Sequence, residues 1–446
     1  MNRTVATGAV RKESVWFGLM IGLLGFSLPF PGLLLPNLSY SPRYPDLIVV
    51  ALIPFVWRAF NRTVRDPRAY RICALFLAAV IIPAITHSLL FSVPDAADFT
   101  YYVRWVAAVL LGVPLAWLLP ERRDYQQALL IGIVVGAGLH LVTIWIAQMG
   151  GVSFLRAVGF ASARVLDTSY NGEQRVTSLA EHPNAAMVLL GISVPAAMAY
   201  RLISPPNKGW IPIGVALVVL FFGFYFTLTR SATLAAVAAI LVAMVQFFKR
   251  SDKLVMYYRA AYAAIAGIMI LLAMLASQQE IAKDRLTERI ASQGLEQNLE
   301  GRSDTINSTV ELLQSYPLGI GWGHYLDSAH AGHVSASHNA YLFTARIIGL
   351  PMMLLLLIGH VRVMWRMAFT RRVDALPPLA FFVVAVMFAE DITQGMSLVF
   401  LTTFVAICGF ANKPWASAIY RSVLVPPAPR AAARRSPANV TGRNPT

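Results

Sequence analysis

The amino-acid sequence predicts an all-α integral membrane protein of about 12 transmembrane helices, with a large helical outer loop between helices 9 and 10. Of the 446 residues, 57% are hydrophobic and 13% are charged, which is more apolar surface than a soluble domain buries. Apolar runs of about 20 residues, the length that crosses a bilayer, recur along the chain. These runs lack the short alternating pattern of barrel strands, so we expect helices.

The candidate spans follow one another from residue 15 to residue 412. In chain order they are 15–35, 45–60, 71–92, 99–119, 127–149, 183–203, 210–228, 231–248, 256–277, 338–361, 376–391 and 395–412. Prolines stand inside several runs, where they predict kinks rather than helix ends. They are Pro29, Pro54, Pro83, Pro114 and Pro195.

Positive charge in the loops predicts the orientation of the spans. The segment before the first span and the even-numbered loops are rich in arginine and lysine, whereas 278–337 carries eight acidic and four basic residues. The positive-inside rule places the basic loops, and with them both termini, in the cytoplasm. The net charge of +15 is therefore mostly a topology signal. Because the charge is spread over loops, we expect membrane lipids and no nucleic acid as partners.

Composition divides the chain into four parts. Residues 1–277 hold predicted helices 1–9, with a basic outer loop at about 150–182 whose positive charge suggests an anionic ligand. Residues 278–337 form a helical outer loop, and residues 338–412 hold predicted helices 10–12. Residues 413–446 are rich in Pro, Ala and Arg, which predicts a disordered basic cytoplasmic tail.

The outer loop 278–337 contains two predicted helices that lie as a lid over the membrane bundle. In the second, Ser303 with Asp304 forms the N-cap, and Ile306, Val310 and Leu313 share a face.

The chemistry is expected in the polar segment from Gly301 to Pro351. Its turn SYPLGIGWGHY has alternating glycines, but no strand precedes it, so it predicts a sharp turn and not a dinucleotide fingerprint. Four histidines follow at 324, 330, 333 and 338. Their spacing matches no common zinc pattern, so no metal site is predicted. His338 differs from the other three because it stands where the loop meets a membrane helix.

Four motifs in one order resemble a known family. They are RVTSLAEHPNAA, LTRSATLAAVAAIL, GRSDTINSTVELLQSYPLGIGWGHY and HNAYLFTARIIGLP. This set is similar to the O-antigen ligase and polymerase superfamily, whose bacterial inner-membrane members transfer a glycan from undecaprenyl diphosphate to an acceptor at the periplasmic face. The resemblance implies that His338 is the catalytic histidine and that Arg175, Arg230 and Arg302 stand at the arginine motifs. One departure is EHPN, where many members have a phenylalanine- or aspartate-led PN motif.

Residue chemistry agrees with these roles. A neutral histidine is suited to remove the proton from a sugar hydroxyl. One ion pair at about 4 Å is worth roughly 4 kcal/mol at an effective dielectric near 20, which does not offset the desolvation of a diphosphate. Three bidentate arginines are expected to do so. No carboxylate nucleophile, P-loop or Rossmann motif is found, so we expect an inverting reaction that needs no cofactor and no metal.

The resemblance leaves several functions open. The first is an O-antigen ligase whose donor is the undecaprenyl-diphosphate-linked glycan and whose acceptor is the lipid A-core oligosaccharide. The second is a polymerase or a protein O-oligosaccharyltransferase of the same superfamily. The outer loop 278–337 is clearly larger than the loop 150–182, which favours the ligase. The third is a transporter or flippase, since about twelve helices is common among transporters, although the halves of the chain show no repeat.

Overall fold

A computed structural model describes twelve stretches of the chain. They are residues 3–30, 44–64, 66–90, 96–160, 163–168, 173–180, 183–204, 210–227, 236–237, 239–241, 306–324 and 340–370. All of them lie within one compact unit, Met1–Asn412.

The described part of the chain is helical apart from one hairpin. The helices are α1 Arg3–Ser27, α2 Tyr44–Thr63, α3 Pro67–Leu90, α4 Ala96–Leu118, α5 Arg123–Gln148, α6 Val152–Ala157, α7 Pro183–Gly191, α8 Ser193–Ile203, α9 Trp210–Thr227, α10 Ala340–Ile348 and α11 Leu350–Thr370. A 3₁₀ turn, Leu119–Glu121, joins α4 to α5, and residues 236–237, 239–241, 306–315 and 322–324 are also helical. The hairpin pairs β1 Arg164–Thr168 with β2 Glu173–Ser178 in antiparallel fashion.

The prediction of a helical membrane protein is confirmed at this level. Among the described residues, four helices are long and apolar enough to cross a bilayer: Pro67–Leu90, Phe99–Leu118, Arg123–Gln148 and Trp210–Thr227. Helix α2 also coincides with a predicted span. The predicted spans 256–277, 376–391 and 395–412 lie outside the described residues, so the total of about 12 helices stays a prediction.

The hairpin lies in the outer loop 150–182, where the sequence analysis predicted no strand. Its two strands are five and six residues long, which is too short for a clear period-two pattern. The second strand packs against α5, α7 and α9.

The helix predicted after Ser303 is present at 306–315, but a different face is buried. Thr309 and Leu313 are buried, whereas Ile306 and Val310 are exposed. The buried face of this helix therefore includes Thr309, a polar residue that a pattern of apolar residues does not predict to be buried.

Two predicted spans are broken into two helices each. The run 183–203 breaks at Ile192, between α7 and α8, because Pro195 has no N–H to donate to the carbonyl four residues earlier. The Ser193 hydroxyl donates to the neighbouring Leu190 carbonyl at 2.6 Å. The run 338–361 breaks at Gly349, between α10 and α11.

Three other prolines stay inside continuous helices, as predicted, whereas α1 ends at Ser27 and leaves Pro29 outside it. Pro54, Pro83 and Pro114 lie within α2, α3 and α4. Pro114 leaves the Leu110 carbonyl without its helical donor. The Trp57 indole N–H on α2 donates to this carbonyl at 2.8 Å, so a neighbouring helix supplies the missing hydrogen bond.

A seam of glycines brings α1 and α5 into backbone contact. A Cβ added at Gly25 would lie 2.2 Å from the Leu129 carbonyl oxygen, and one at Gly132 would lie 2.1 Å from the Gly22 carbonyl oxygen. A Cβ at Gly136 would meet the Phe26 carbonyl oxygen at 2.1 Å. Only glycine fits such an approach, which is typical of helix pairs in membranes. Later residues of α1 face later residues of α5, so the two helices run parallel.

Contacts near the ends of the helices define two faces of the described bundle. On one face, which we call the basic face, the Trp117 indole N–H at the end of α4 donates to Asp66, between α2 and α3, at 3.1 Å. Gln127, near the start of α5, donates to Ser204, after α8, at 3.3 Å. Exposed arginines lie here, including Arg62 and Arg68. The opposite face carries the hairpin, and we call it the hairpin face.

Candidate functional site

The polar segment 301–351 contains a tight turn at residues 317–321. Gly319 and Gly321 have φ angles of 81° and 80°, in the left-handed region that glycine adopts without strain. The Gly319 N–H donates to the Tyr316 carbonyl at 2.9 Å and closes the turn. The glycines therefore form a sharp backbone turn, as predicted.

This turn fills the break between α10 and α11. In a continuous helix, the Arg346 carbonyl would accept from Leu350, and the Ile347 carbonyl would face Pro351, which has no N–H. Backbone groups of the turn take these positions instead. The bonds are Ile320 N–H to the Arg346 carbonyl (2.9 Å), Gly321 N–H to the Ile347 carbonyl (3.1 Å) and Leu350 N–H to the Pro317 carbonyl (2.9 Å).

Two glycines allow the turn and the break to approach this closely. A Cβ added at Gly349 would lie 2.5 Å from the Leu318 carbonyl carbon, and one at Gly319 would lie 2.6 Å from the Ile347 carbonyl oxygen. Gly349 has a φ of 105°, which L side chains rarely adopt. Each glycine therefore makes room for the backbone beside the other.

A buried histidine from another helix contacts the same turn. His87, in the last turn of α3, is 4% exposed. Its Nε2 lies 3.0 Å from the Leu318 carbonyl oxygen and 2.9 Å from that of Gly319. Its Nδ1 is in hydrogen-bond contact with the hydroxyl of Tyr102 on α4. The turn is thus joined to α3 and α4 as well as to α10 and α11.

Aromatic rings pack beside the turn. Trp322 stacks on Tyr101 of α4, with ring centroids 5.1 Å apart and planes inclined by 10°. Phe343 of α10 meets Trp322 edge-on at 5.6 Å. All three rings are buried, so they serve as packing that excludes water and not as an exposed sugar platform.

Arg346 is a buried cation next to the turn. Its side chain is 1% exposed, although it lies on α10 within an apolar run. A charge in this environment is costly, so a buried arginine here indicates a polar contact inside the apolar run.

The hairpin carries one of the predicted arginines. Arg175 lies within β2, with its Cα opposite that of Leu166 in β1. The hairpin adjoins a core in which Ala163 packs with Ile144 of α5 and Val219 of α9. The strand that carries Arg175 therefore packs against α9, the helix that precedes Arg230 in the sequence.

A series of contacts places the hairpin and the 317–321 turn on the same face. The Tyr44 hydroxyl donates to the Gly159 carbonyl, just before β1, at 3.3 Å. Asp46, one half-turn further along α2, pairs with Arg104 of α4 at 2.9 Å. Arg104 lies two residues beyond Tyr102, which contacts His87 at the turn.

The predicted site residues are described to different extents. Arg175 is placed by its backbone, whereas Arg230, Arg302 and His338 lie outside the described residues. Their nearest described neighbours are Thr227 at the end of α9, Ile306 in the helix 306–315 and Ala340 at the start of α10. The roles given to all four residues remain predictions.

Sequence reasoning missed His87, Tyr102 and Arg346. Each is a polar or charged side chain inside an apolar run, namely 71–92, 99–119 or 338–361. An ionisable residue within a membrane span is itself a sign of a functional or structural polar contact, and this signal was present in the sequence.

Within the part of the chain that the structure describes, no cluster of three or more His, Cys, Asp or Glu side chains could hold a metal ion. His324 is described and exposed, while His330, His333 and His338 lie outside the described residues.

A comparison with known protein families shows which family this segment matches. Residues 215–357 match the family model described as O-antigen ligase. The chain carries an O-antigen ligase family domain. The domain spans most of α9, the 317–321 turn, α10 and the first turns of α11, and it also spans the positions of Arg230, Arg302 and His338. Arg175 and His87 lie outside it. No curated protein matches the chain.

The fit between the turn and the helix break of the O-antigen ligase domain gives a testable expectation. Gly349→Ala should lower the free energy of unfolding by about 1–3 kcal/mol, because the new Cβ meets Leu318 and the φ angle is strained. Thermal unfolding in detergent measures this. Gly359→Ala in α11, where an added Cβ meets nothing within 4 Å, is the control and should be at least as stable as the wild type. Equal stability of the two variants would contradict the interlocked arrangement.

Proposed function

We propose that this protein is an O-antigen ligase of the bacterial inner membrane. It transfers the O-antigen glycan from undecaprenyl diphosphate to a sugar of the lipid A-core oligosaccharide at the periplasmic face. The observation that carries the proposal is the family match over residues 215–357, which spans Arg230, Arg302 and His338. In this orientation the hairpin face is periplasmic, and the basic face with both termini is cytoplasmic.

The reaction is a single displacement at the anomeric carbon of the donor glycan. His338 accepts the proton of the acceptor hydroxyl while its oxygen bonds to the anomeric carbon. The bond from that carbon to the phosphate oxygen breaks, and undecaprenyl diphosphate leaves with the electron pair. The attack comes from the side opposite the leaving group, so the anomeric configuration inverts.

Arginines bind the donor and stabilise the undecaprenyl diphosphate that leaves. Arg302, Arg230 and Arg175 bind the diphosphate and balance the charge that develops on the leaving oxygen. Because this charge does the work that a divalent cation would otherwise do, the proposed reaction needs no metal and no cofactor.

The sizes of the two outer loops favour a ligase over the other activities of the superfamily. The loop 278–337 is clearly larger than the loop 150–182, whereas polymerases of the superfamily tend to have two comparable arginine-bearing loops. A polymerase or a protein O-oligosaccharyltransferase remains the alternative within the family. Deletion of the gene separates them, because loss of a ligase leaves uncapped lipid A-core.

A transporter is the alternative from another class, and broken helices are typical of transporters. In those proteins the freed backbone groups bind ions or substrate near the midplane. Here the break at Gly349 is filled by the protein's own turn, which bonds the carbonyls of Arg346 and Ile347. This filled break favours a structural role over a transport site.

A reconstituted assay tests the proposed reaction. Purified protein in lipid nanodiscs, with a defined undecaprenyl-diphosphate glycan and lipid A-core, should form the ligated product in excess EDTA. NMR of the product should show an inverted anomeric centre. A retained centre would indicate a covalent intermediate, and activity restored only by magnesium would indicate a metal site.

Replacement of the proposed base should abolish transfer. His338→Ala is expected to lower kcat by about 10²–10⁴-fold, the usual contribution of a general base. His324→Ala is the matched control, because His324 is an exposed histidine of the same segment, and its activity should be close to wild type. Normal ligation by the His338 variant would remove this residue from the mechanism.

The arginines should affect the donor and not the acceptor. Arg302→Ala and Arg230→Ala are expected to raise the KM for the diphosphate-linked glycan, and lysine at either position should rescue only partly because the bidentate fork is lost. Arg71→Ala, an exposed arginine near the start of α3, serves as the control. Wild-type donor KM in both alanine variants would show that Arg302 and Arg230 are structural.

A further inference from the structure

His87 lies where three parts of the described bundle meet. It stands at the end of α3, contacts Tyr102 on α4 through Nδ1, and contacts the carbonyls of Leu318 and Gly319 through Nε2. The Nε2 contacts are 3.0 and 2.9 Å long. The histidine is buried, with 4% of its surface exposed.

The neighbours of the ring define its hydrogen bonds. A carbonyl oxygen only accepts, so Nε2 must carry the proton that it shares between Leu318 and Gly319. In the neutral ring, Nδ1 then accepts from the Tyr102 hydroxyl. Tyr102 therefore holds the tautomer that donates to the turn, in the way that a second hydrogen bond usually orients a functional histidine.

The turn that His87 holds is itself bonded to α10. Ile320 and Gly321 donate to the carbonyls of Arg346 and Ile347. The proposed base, His338, precedes the first described residue of α10 by two positions, and the proposed donor-binding Arg302 precedes the helix 306–315 by four. The helix 306–315 and α10, which follow Arg302 and His338 in the sequence, thus both end beside the 317–321 turn.

We propose that His87, oriented by Tyr102, is a positioning residue for glycan transfer. By donating to Leu318 and Gly319, it fixes the 317–321 turn and, through the turn, the relative placement of the segments that carry Arg302 and His338. This inference rests on the proposed ligase function. Misplacement of catalytic groups by about 1 Å can cost on the order of 10²-fold in rate.

Side-chain geometry supplies a matched set of variants. Glutamine places an amide N–H the same number of bonds from Cα as Nε2, whereas asparagine places it at the level of Nδ1. His87→Gln therefore keeps a donor to the turn, and His87→Asn and His87→Leu do not. Tyr102→Phe removes only the hydroxyl. Ser88→Ala, the exposed neighbour of His87 in α3, is the control.

The experiment combines transfer kinetics with hydrogen exchange. In the reconstituted assay, His87→Asn, His87→Leu and Tyr102→Phe should lower kcat by about 10- to 100-fold, while His87→Gln and Ser88→Ala stay close to wild type. Amide exchange over residues 316–324, followed by mass spectrometry of the full protein in nanodiscs, should accelerate in the same three variants. Preserved thermal stability shows that they are folded.

Specific results would overturn the inference. Equal kcat in the glutamine and asparagine variants would show that the donor to the turn does not matter. A lower kcat without faster exchange at 316–324 would show that His87 does not act through the turn. If the leucine variant fails to fold, the glutamine and asparagine pair decides. If the wild type transfers no glycan, the ligase proposal fails, and the exchange data alone test whether His87 holds the turn.

Discussion

A backbone carbonyl released inside a membrane helix needs another donor, and this requirement shapes the described part of the protein. In hydrocarbon no water can replace the lost partner, and each unsatisfied group costs several kcal/mol. At Pro114 the donor is an indole on α2. At Gly349 it is a whole turn of the chain, brought in from the polar segment before α10.

The turn at the Gly349 break links the segment with the proposed catalytic residues to the folded membrane helices. A loop that merely lay over the membrane would be free to shift against the helices below it. Residues 317–321 instead complete the hydrogen bonding of a broken helix, so the turn cannot leave without exposing the carbonyls of Arg346 and Ile347. The O-antigen ligase domain thereby gains a fixed point between the segments that lead to Arg302 and to His338. His87 and Tyr102 extend this point into two helices outside the domain.

The helical character and many boundaries could be predicted from the sequence, because about 20 apolar residues have few other stable states in a bilayer. Thus α2, α3, α4, α5 and α9 lie close to their predicted spans. The breaks at Ile192 and Gly349 could not be predicted, because Pro195 and Pro351 resemble the prolines that lie within α2, α3 and α4. What differs is the distant group that donates a hydrogen bond to the freed carbonyl. The glycines of the 317–321 turn predicted a turn. They did not predict that it packs against the break at Gly349, since Gly349 resembles any glycine in an apolar run. The buried Thr309 likewise escaped a pattern built on hydrophobic residues.

The glycine seam between α1 and α5 has a consequence for biogenesis. The seam joins the first helix to one that the ribosome delivers only after α2, α3 and α4. During that interval the glycine edge of α1 lacks the α5 surface against which it packs. Close packing through Gly25, Gly132 and Gly136 must therefore form after α5 has entered the bilayer. The order in which the helices insert and the order in which they pack are different, and a chain truncated before α5 would leave its first helix without its tightest neighbour.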